Sequence, residues 1–98
     1  MKVKELKFNE KPYGGWSSRV KVSDEIEMSI VAGKFAYSTP REDLGDPHEY
    51  TQYEIAVFKD GEFTREFFEE DYDDVLGWQS VEEIESLYTK IKSHVTEV

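Results

Sequence analysis

Between Trp16 and Ala32 the chain alternates. Trp16, Val20 and Val22 fall on one side with Arg19 and Lys21 on the other; beyond the polar bend Ser23–Glu25, Ile26, Met28, Ile30 and Ala32 share a side, with Glu27 and Ser29 opposite. A period of two is that of a half-buried strand, so strands are predicted over 16–22 and from 26 to about 37. Pairing Val22 with Ile26 sets Val20 against Met28 and Lys21 against Glu27, which makes both faces of that hairpin chemically consistent.

Weaker patterns flank it. Val3, Leu6 and Phe8 alternate imperfectly and predict a short edge strand over 1–8, followed by a turn over 10–15 marked by Pro12 and the Gly14–Gly15 pair. Tyr53, Ile55 and Val57 predict a strand over 50–58, ending in the hairpin signal Lys59–Asp60–Gly61. A two-residue Asp–Gly turn would pair Phe58 with Phe63. A three-residue loop would pair Val57 with Phe63 and Tyr53 with Phe67; it keeps the aromatics on the aliphatic face and is the expected register. Residues 38–49 (STPREDLGDPHE) form a loop of a length that compact domains usually keep for function or leave mobile.

The clearest signal is C-terminal. Ser80-Val-Glu-Glu83 is a capping box, in which Ser80 and Glu83 satisfy each other's backbone N–H. Beyond it Ile84, Leu87, Tyr88, Ile91 and Val95 form one stripe at helical spacing. Glu82, Glu83 and Glu85 sit at the positive end of that helix, and Lys90, Lys92 and His94 at its negative end.

These elements predict a single α+β domain over residues 1–98, an antiparallel sheet of four to five strands with one C-terminal helix packed on one face. The other face, read from Arg19, Lys21, Glu27, Ser29, Gln52 and Glu54, is polar.

Composition narrows the function classes. Hydrophobic content is only 38%, but fourteen aromatic residues supply large burial per side chain, as a folded domain requires. With no cysteine, thiolate chemistry and disulfides are excluded, and a reducing compartment fits. The N-terminal MKVKELKF has no apolar core of the kind a secretory signal needs, and no apolar run approaches the ~20 residues of a membrane span. A cytoplasmic protein without membrane contact is expected.

The charge is uneven. Residues 1–41 carry +3, residues 42–74 carry −11 and residues 75–98 carry −2. Phosphate contacts need clustered Lys and Arg, so direct nucleic-acid binding is not expected, and a basic partner is the favoured kind.

Catalytic machinery is hard to find. Only His48 and His94 offer an imidazole; His94 suits a helix C-terminus, and His48, between Asp46 and Glu49, reads as a turn residue before it reads as a base or metal ligand. A calcium loop begun at Asp71 fails, because Val75 and Leu76 stand where a ligand and a glycine are needed. Gly14–Gly15 precedes a strand instead of opening a helix, so it does not cradle a phosphate. No cofactor, no metal and no enzymatic activity are expected.

One stretch remains. EFFEEDYDDVLGW puts six carboxylates into the nine positions from Glu66 to Asp74. Coiled into a helix, nine residues would span roughly 13 Å and approach the charge density of duplex DNA, about one per 1.7 Å; extended over roughly 30 Å they would not. Phe63 and Phe67 favour a partly extended segment, with a helical turn over 73–78. A charge run is usually a solvated face anchored by its apolar members, here Phe67, Tyr72, Val75, Leu76 and Trp78, and both tryptophans read as core residues. The candidate partner-binding set is Glu66, Glu69, Glu70, Asp71, Tyr72, Asp73 and Asp74.

The segments MSIVAGKFAYS, QYEIAVFKDGEF and DDVLGWQSVEEIESLYTKI carry a resemblance. With Gly14–Gly15, Ser29–Val31, Tyr53–Val57, Asp73–Gly77 and Glu82–Ile84, the chain resembles a group of small proteins encoded in tailed-bacteriophage genomes. That resemblance implies no catalytic residues. It implies a phage product acting in the cytoplasm of the infected bacterium as a non-enzymatic binder or inhibitor of a host or anti-phage defence protein with a basic surface, nucleic-acid mimicry included. The alternative is an accessory or assembly protein acting through ordinary interfaces, with the acids serving solubility.

Overall fold

A computed structural model describes residues 1–68 and 74–96. It shows an antiparallel sheet and one C-terminal helix, the α+β arrangement that the patterning predicts. The strands are β1 (Asn9–Glu10), β2 (Trp16–Lys21), β3 (Ile26–Ala32), β4 (Gln52–Lys59), β5 (Glu62–Phe63) and β6 (Val75–Ser80), and β6 runs directly into helix α1 (Val81–Thr96). Strands β1 to β5 lie in sequence order, and β6 pairs with β4.

The β2–β3 register is the expected one, with Val20 opposite Met28 and Lys21 opposite Glu27. The Val22 N–H donates to the Ile26 carbonyl at 2.9 Å and closes the turn. Strand β3 continues the same layer into β4, with Met28 opposite Val57 and Ile30 opposite Ile55. Those four side chains are fully buried beneath α1, together with Tyr53, Ile84 and Ile91. Leu87, Tyr88 and Val95 pack along its margin, so the predicted helix stripe is the one that faces the core.

The helix begins as predicted. The Glu83 N–H donates to Ser80 Oγ at 3.1 Å and the Ser80 N–H donates to Glu83 Oε1 at 3.0 Å. At the far end the Lys90 and Lys92 ammonium groups reach the Phe67 and Val22 carbonyls, both at 3.1 Å, and tie the last turns to the sheet side.

Three expectations are corrected. Residues 1–8 are not a strand: Val3–Glu5 form one turn of 3-10 helix, and pairing begins only at Asn9. Val3 is buried, and its N–H donates to Glu85 Oε2 at 2.9 Å, so the segment is held by the helix and not by a strand edge. The β4–β5 hairpin takes the two-residue turn, pairing Phe58 with Phe63 and Lys59 with Glu62. Asp60 and Gly61 both have positive φ (53° and 84°), the backbone whose twist matches the strands it joins. Phe67 therefore has no strand partner among the described residues and is buried edge-on against His94 instead. Finally, residues 75–80 form a strand where a helical turn over 73–78 was expected, because Leu76 and Val75 find β4 partners in Ile55 and Ala56.

The long 38–49 loop is clamped from below. Tyr50 Oη donates to the Glu42 carbonyl at 2.6 Å and accepts from the Leu44 N–H at 2.9 Å. Tyr53 Oη donates to the Pro47 carbonyl at 2.7 Å, and Trp16 Nε1 donates to the Leu44 carbonyl at 2.8 Å. Three aromatic bodies are buried or packed against the core while their polar tips satisfy loop backbone.

Burial pushes the Tyr53 hydroxyl up to about 12. A raised acid is protonated in the fold where the unfolded chain has already lost its proton, so stability falls as pH rises from about 10 through 12. Denaturation midpoints measured across that range should decline in the native protein and decline less in Tyr53→Phe. At neutral pH, Ser80→Ala should lower unfolding free energy by about 1 kcal/mol and Ile55→Ala by about 2–5 kcal/mol, as urea titration would read.

Candidate partner-contact surface

The sheet face away from α1 is not uniformly polar. Arg19 bonds Glu27 at 3.0 Å and lies 4.3 Å over the Phe58 ring, which itself packs on Phe63 at 4.5 Å. A second aromatic pair, Tyr37 and Trp78, lies with ring centroids 5.0 Å apart.

The second pair is built by a β-bulge. Leu76 stands opposite Ile55 on the core side of the sheet, and plain alternation would put Trp78 on that side too. The register shifts between Tyr53 and Ile55, so that Gly77 and Trp78 together oppose Glu54 and Gln79 takes the place opposite Tyr53. Trp78 is thereby turned out of the core and is 50% exposed, the reverse of the sequence expectation.

Its backbone carries strain. Trp78 has φ of +53°, a left-handed conformation that costs a residue with a Cβ about 1–2 kcal/mol. Such strain persists where surroundings hold it, and residue 37 supplies the hold. The Trp78 N–H donates to the Tyr37 carbonyl at 2.9 Å, and the Tyr37 N–H donates to Glu54 Oε1 at 3.2 Å. Gly77 permits the approach, since a Cβ there would lie 2.8 Å from Tyr37 Cβ.

The segment that delivers Tyr37 is pinned on both sides. Buried Ser38 accepts the Gly33 N–H at 3.1 Å, and Asp43 Oδ1 accepts the Lys34 N–H at 3.0 Å. The Asp43 carboxylate fills a crook that glycine leaves open: a Cβ on Gly14 would meet Oδ2 at 2.5 Å. Gly14 has φ of +98°, so the early glycine pair positions this loop. Arg41 then lies 5.1 Å over the Tyr37 ring.

Of the sequence-predicted site residues, Glu69, Glu70, Asp71, Tyr72 and Asp73 lie outside the described residues. Glu66 pairs with Lys59 at 3.3 Å, and Asp74 approaches Arg65 at 4.0 Å; all four side chains remain substantially exposed. Lys59 and Arg65 are the two cations of residues 42–74, and both face a carboxylate of the acidic run.

Among the described residues no carboxylate forms an ion pair with the His48 ring. The His48 backbone N–H donates to Asp46 Oδ1 at 2.9 Å, its ring meets the Phe8 ring edge-on at 5.4 Å, and Nδ1 is buried without a partner among the described residues. Among the described residues no group of three His, Cys, Asp or Glu side chains could hold a metal ion, and no helix is long and apolar enough to cross a membrane.

The sequence pattern puts Tyr37 at the end of the strand predicted from 26 to about 37 and Arg41 in the 38–49 loop; the strand in fact ends at Ala32, so both lie in irregular chain beyond it. The signal for Trp78 was the glycine before it, since glycine inside a strand pattern marks a bulge or a close backbone approach. No protein-family model, no curated protein and no solved structure matches this chain.

The strain has a measurable sign. Glycine in a strand is ordinarily less stable than alanine by about 0.5–1 kcal/mol. At position 78 both substitutions remove the indole and only glycine relieves the positive φ. Trp78→Gly should therefore be the more stable of the two by about 1 kcal/mol in chemical denaturation, and the ordinary order would refute the left-handed assignment.

Proposed function

We propose that this chain is a non-enzymatic binding protein that grips a partner protein through the Tyr37–Trp78 surface, with the acidic stretch from Glu66 to Asp74 drawing in a partner whose surface is basic. The observation that carries this reading is the outward placement of Trp78. A bulge, a strained backbone and a glycine-dependent contact all act to hold at the surface a large aromatic that plain alternation would bury. Tryptophan, tyrosine and arginine are the residues in which binding energy most often concentrates at interfaces, and Trp78, Tyr37 and Arg41 are stacked together here.

The resemblance to small phage-encoded proteins supports placing this binding in the cytoplasm of an infected bacterium, with a host or anti-phage defence protein as the partner. The chain's net charge of −10 supports attraction to a basic surface from a distance. A second reading, an accessory protein whose acids serve solubility alone, is favoured by the Lys59–Glu66 and Arg65–Asp74 pairs, which offset two of the run's six carboxylates within the chain.

Capture from a bacterial lysate separates the two. Three baits are compared: the native protein, Trp78→Ser, and a variant with Glu66, Glu69, Glu70, Asp71, Asp73 and Asp74 changed to amides. A partner lost with Trp78→Ser, and held less tightly by the amide variant or at raised salt, is the expected result. A partner lost only with Trp78→Ser favours the second reading of the acids. Equal capture by all three removes both surfaces from the account.

A further inference from the structure

We infer that Arg41 receives a carboxylate of the partner, so that the segment docking on Tyr37 and Trp78 carries an acidic side chain next to an apolar one. The inference rests on the reading of this surface as a partner-contact site and adds the chemistry of what it contacts.

The chain has three arginines. Arg19 bonds Glu27 at 3.0 Å and Arg65 approaches Asp74 at 4.0 Å. Arg41 is exposed and lies over the Tyr37 ring; among the described residues no carboxylate is within ion-pair distance of it. A guanidinium lying over a ring keeps its in-plane N–H fork free, and that fork matches the two oxygens of a carboxylate.

Three acids near this surface are turned to other work, and exposed Glu42, next in the chain to Arg41, makes no ion pair with it among the described residues. Glu54 accepts the Tyr37 N–H, Asp43 the Lys34 N–H and Asp46 the His48 N–H. Residues 33–41 contain Lys34 and Arg41 and no acid at all. In a chain of net charge −10, this is a place where cation and aromatic face outward together while three nearby carboxylates, Asp43, Asp46 and Glu54, hold backbone.

A protein carboxylate fits better than a nucleic-acid phosphate. A polyanion needs several clustered cations to offset the repulsion of the whole chain, and this segment supplies two. One carboxylate on an otherwise basic partner meets Arg41 locally, while its basic flank is drawn to the acidic stretch.

Two capped peptides test this, Ac-Lys-Phe-Glu-Phe-Lys-NH2 and the same peptide with Gln for Glu, titrated into the labelled full-length protein by NMR at physiological salt. The Glu peptide should shift the Trp78 indole N–H and the Arg41 Nε–H and bind several-fold more tightly than the Gln peptide. Arg41→Gln should erase that difference, and Arg41→Lys, a point charge without the fork, should restore only part of it; the spectrum of each variant reports folding independently. Equal binding of the two peptides to the native protein would overturn the inference, as would a preference that survives Arg41→Gln. Tighter binding of a thymidine octanucleotide would make the surface a phosphate reader, and shifts of the same signals with protein concentration alone would make its occupant a second copy; either result replaces the carboxylate partner. In the lysate experiment, with Arg41→Gln added as a fourth bait, capture lost with Trp78→Ser and unchanged with Arg41→Gln would sink the carboxylate and leave the contact surface standing. Capture unchanged by both would sink the contact surface itself.

Discussion

Strand β4 is the member against which everything else is registered. One edge pairs with β3; the other is shared, with β5 on its C-terminal end and β6 on its N-terminal end. Its odd residues Tyr53, Ile55 and Val57 lie in the fully buried layer, and its even residues Glu54, Ala56 and Phe58 belong to the opposite face. A single two-faced strand thus lines up the core, the Phe58–Phe63 pair and, through Glu54, the backbone of Tyr37. A slip of one residue in β4 would exchange its two faces, which is why burial on one side holds the surface on the other in place.

The shared edge is what makes the bulge useful. Six residues of β6 must join β4 and hand the chain to α1 at Ser80, with Leu76 inside at one end and the capping box at the other. Inserting one extra residue opposite Glu54 satisfies both ends and leaves one side chain to be turned outward. That side chain is a tryptophan, where a glycine or asparagine would adopt the positive φ at less cost. The choice of residue, more than the bulge, points to a surface role. The loop that brings Tyr37 and Arg41 to it is ordered by the tyrosine and tryptophan tips beneath it and by the Asp43–Gly14 fit from the side.

The acidic run is a different kind of feature. Long-range attraction depends on the sum of charges and little on their arrangement, whereas a contact surface depends on geometry. Lys59 with Glu66, and Arg65 with Asp74, are exposed pairs of the sort that contributes little to stability, so neither fixes the fold. The acids and the aromatic surface therefore act separately in the proposed function, one on approach and the other on contact.

Sequence alone determined the features governed by neighbours a few residues apart. The β2–β3 register, the Ser80–Glu83 box and the Ile84–Ile91 stripe follow from periods of two and 3.6 and from local hydrogen-bond partners. The charge asymmetry was legible for the same reason. What depended on distant partners was not. The N-terminal segment curls because Val3 finds Glu85, and the β4–β5 turn follows backbone twist over the aromatic match that the pattern favoured. Trp78 looked like core because a large aromatic among apolar neighbours usually is, and only the pairing of β6 with β4 creates the extra residue that expels it. Tyr37, Arg41 and Trp78 meet because strand register brings two distant stretches of chain together, and register is settled by the burial of the whole layer beneath them.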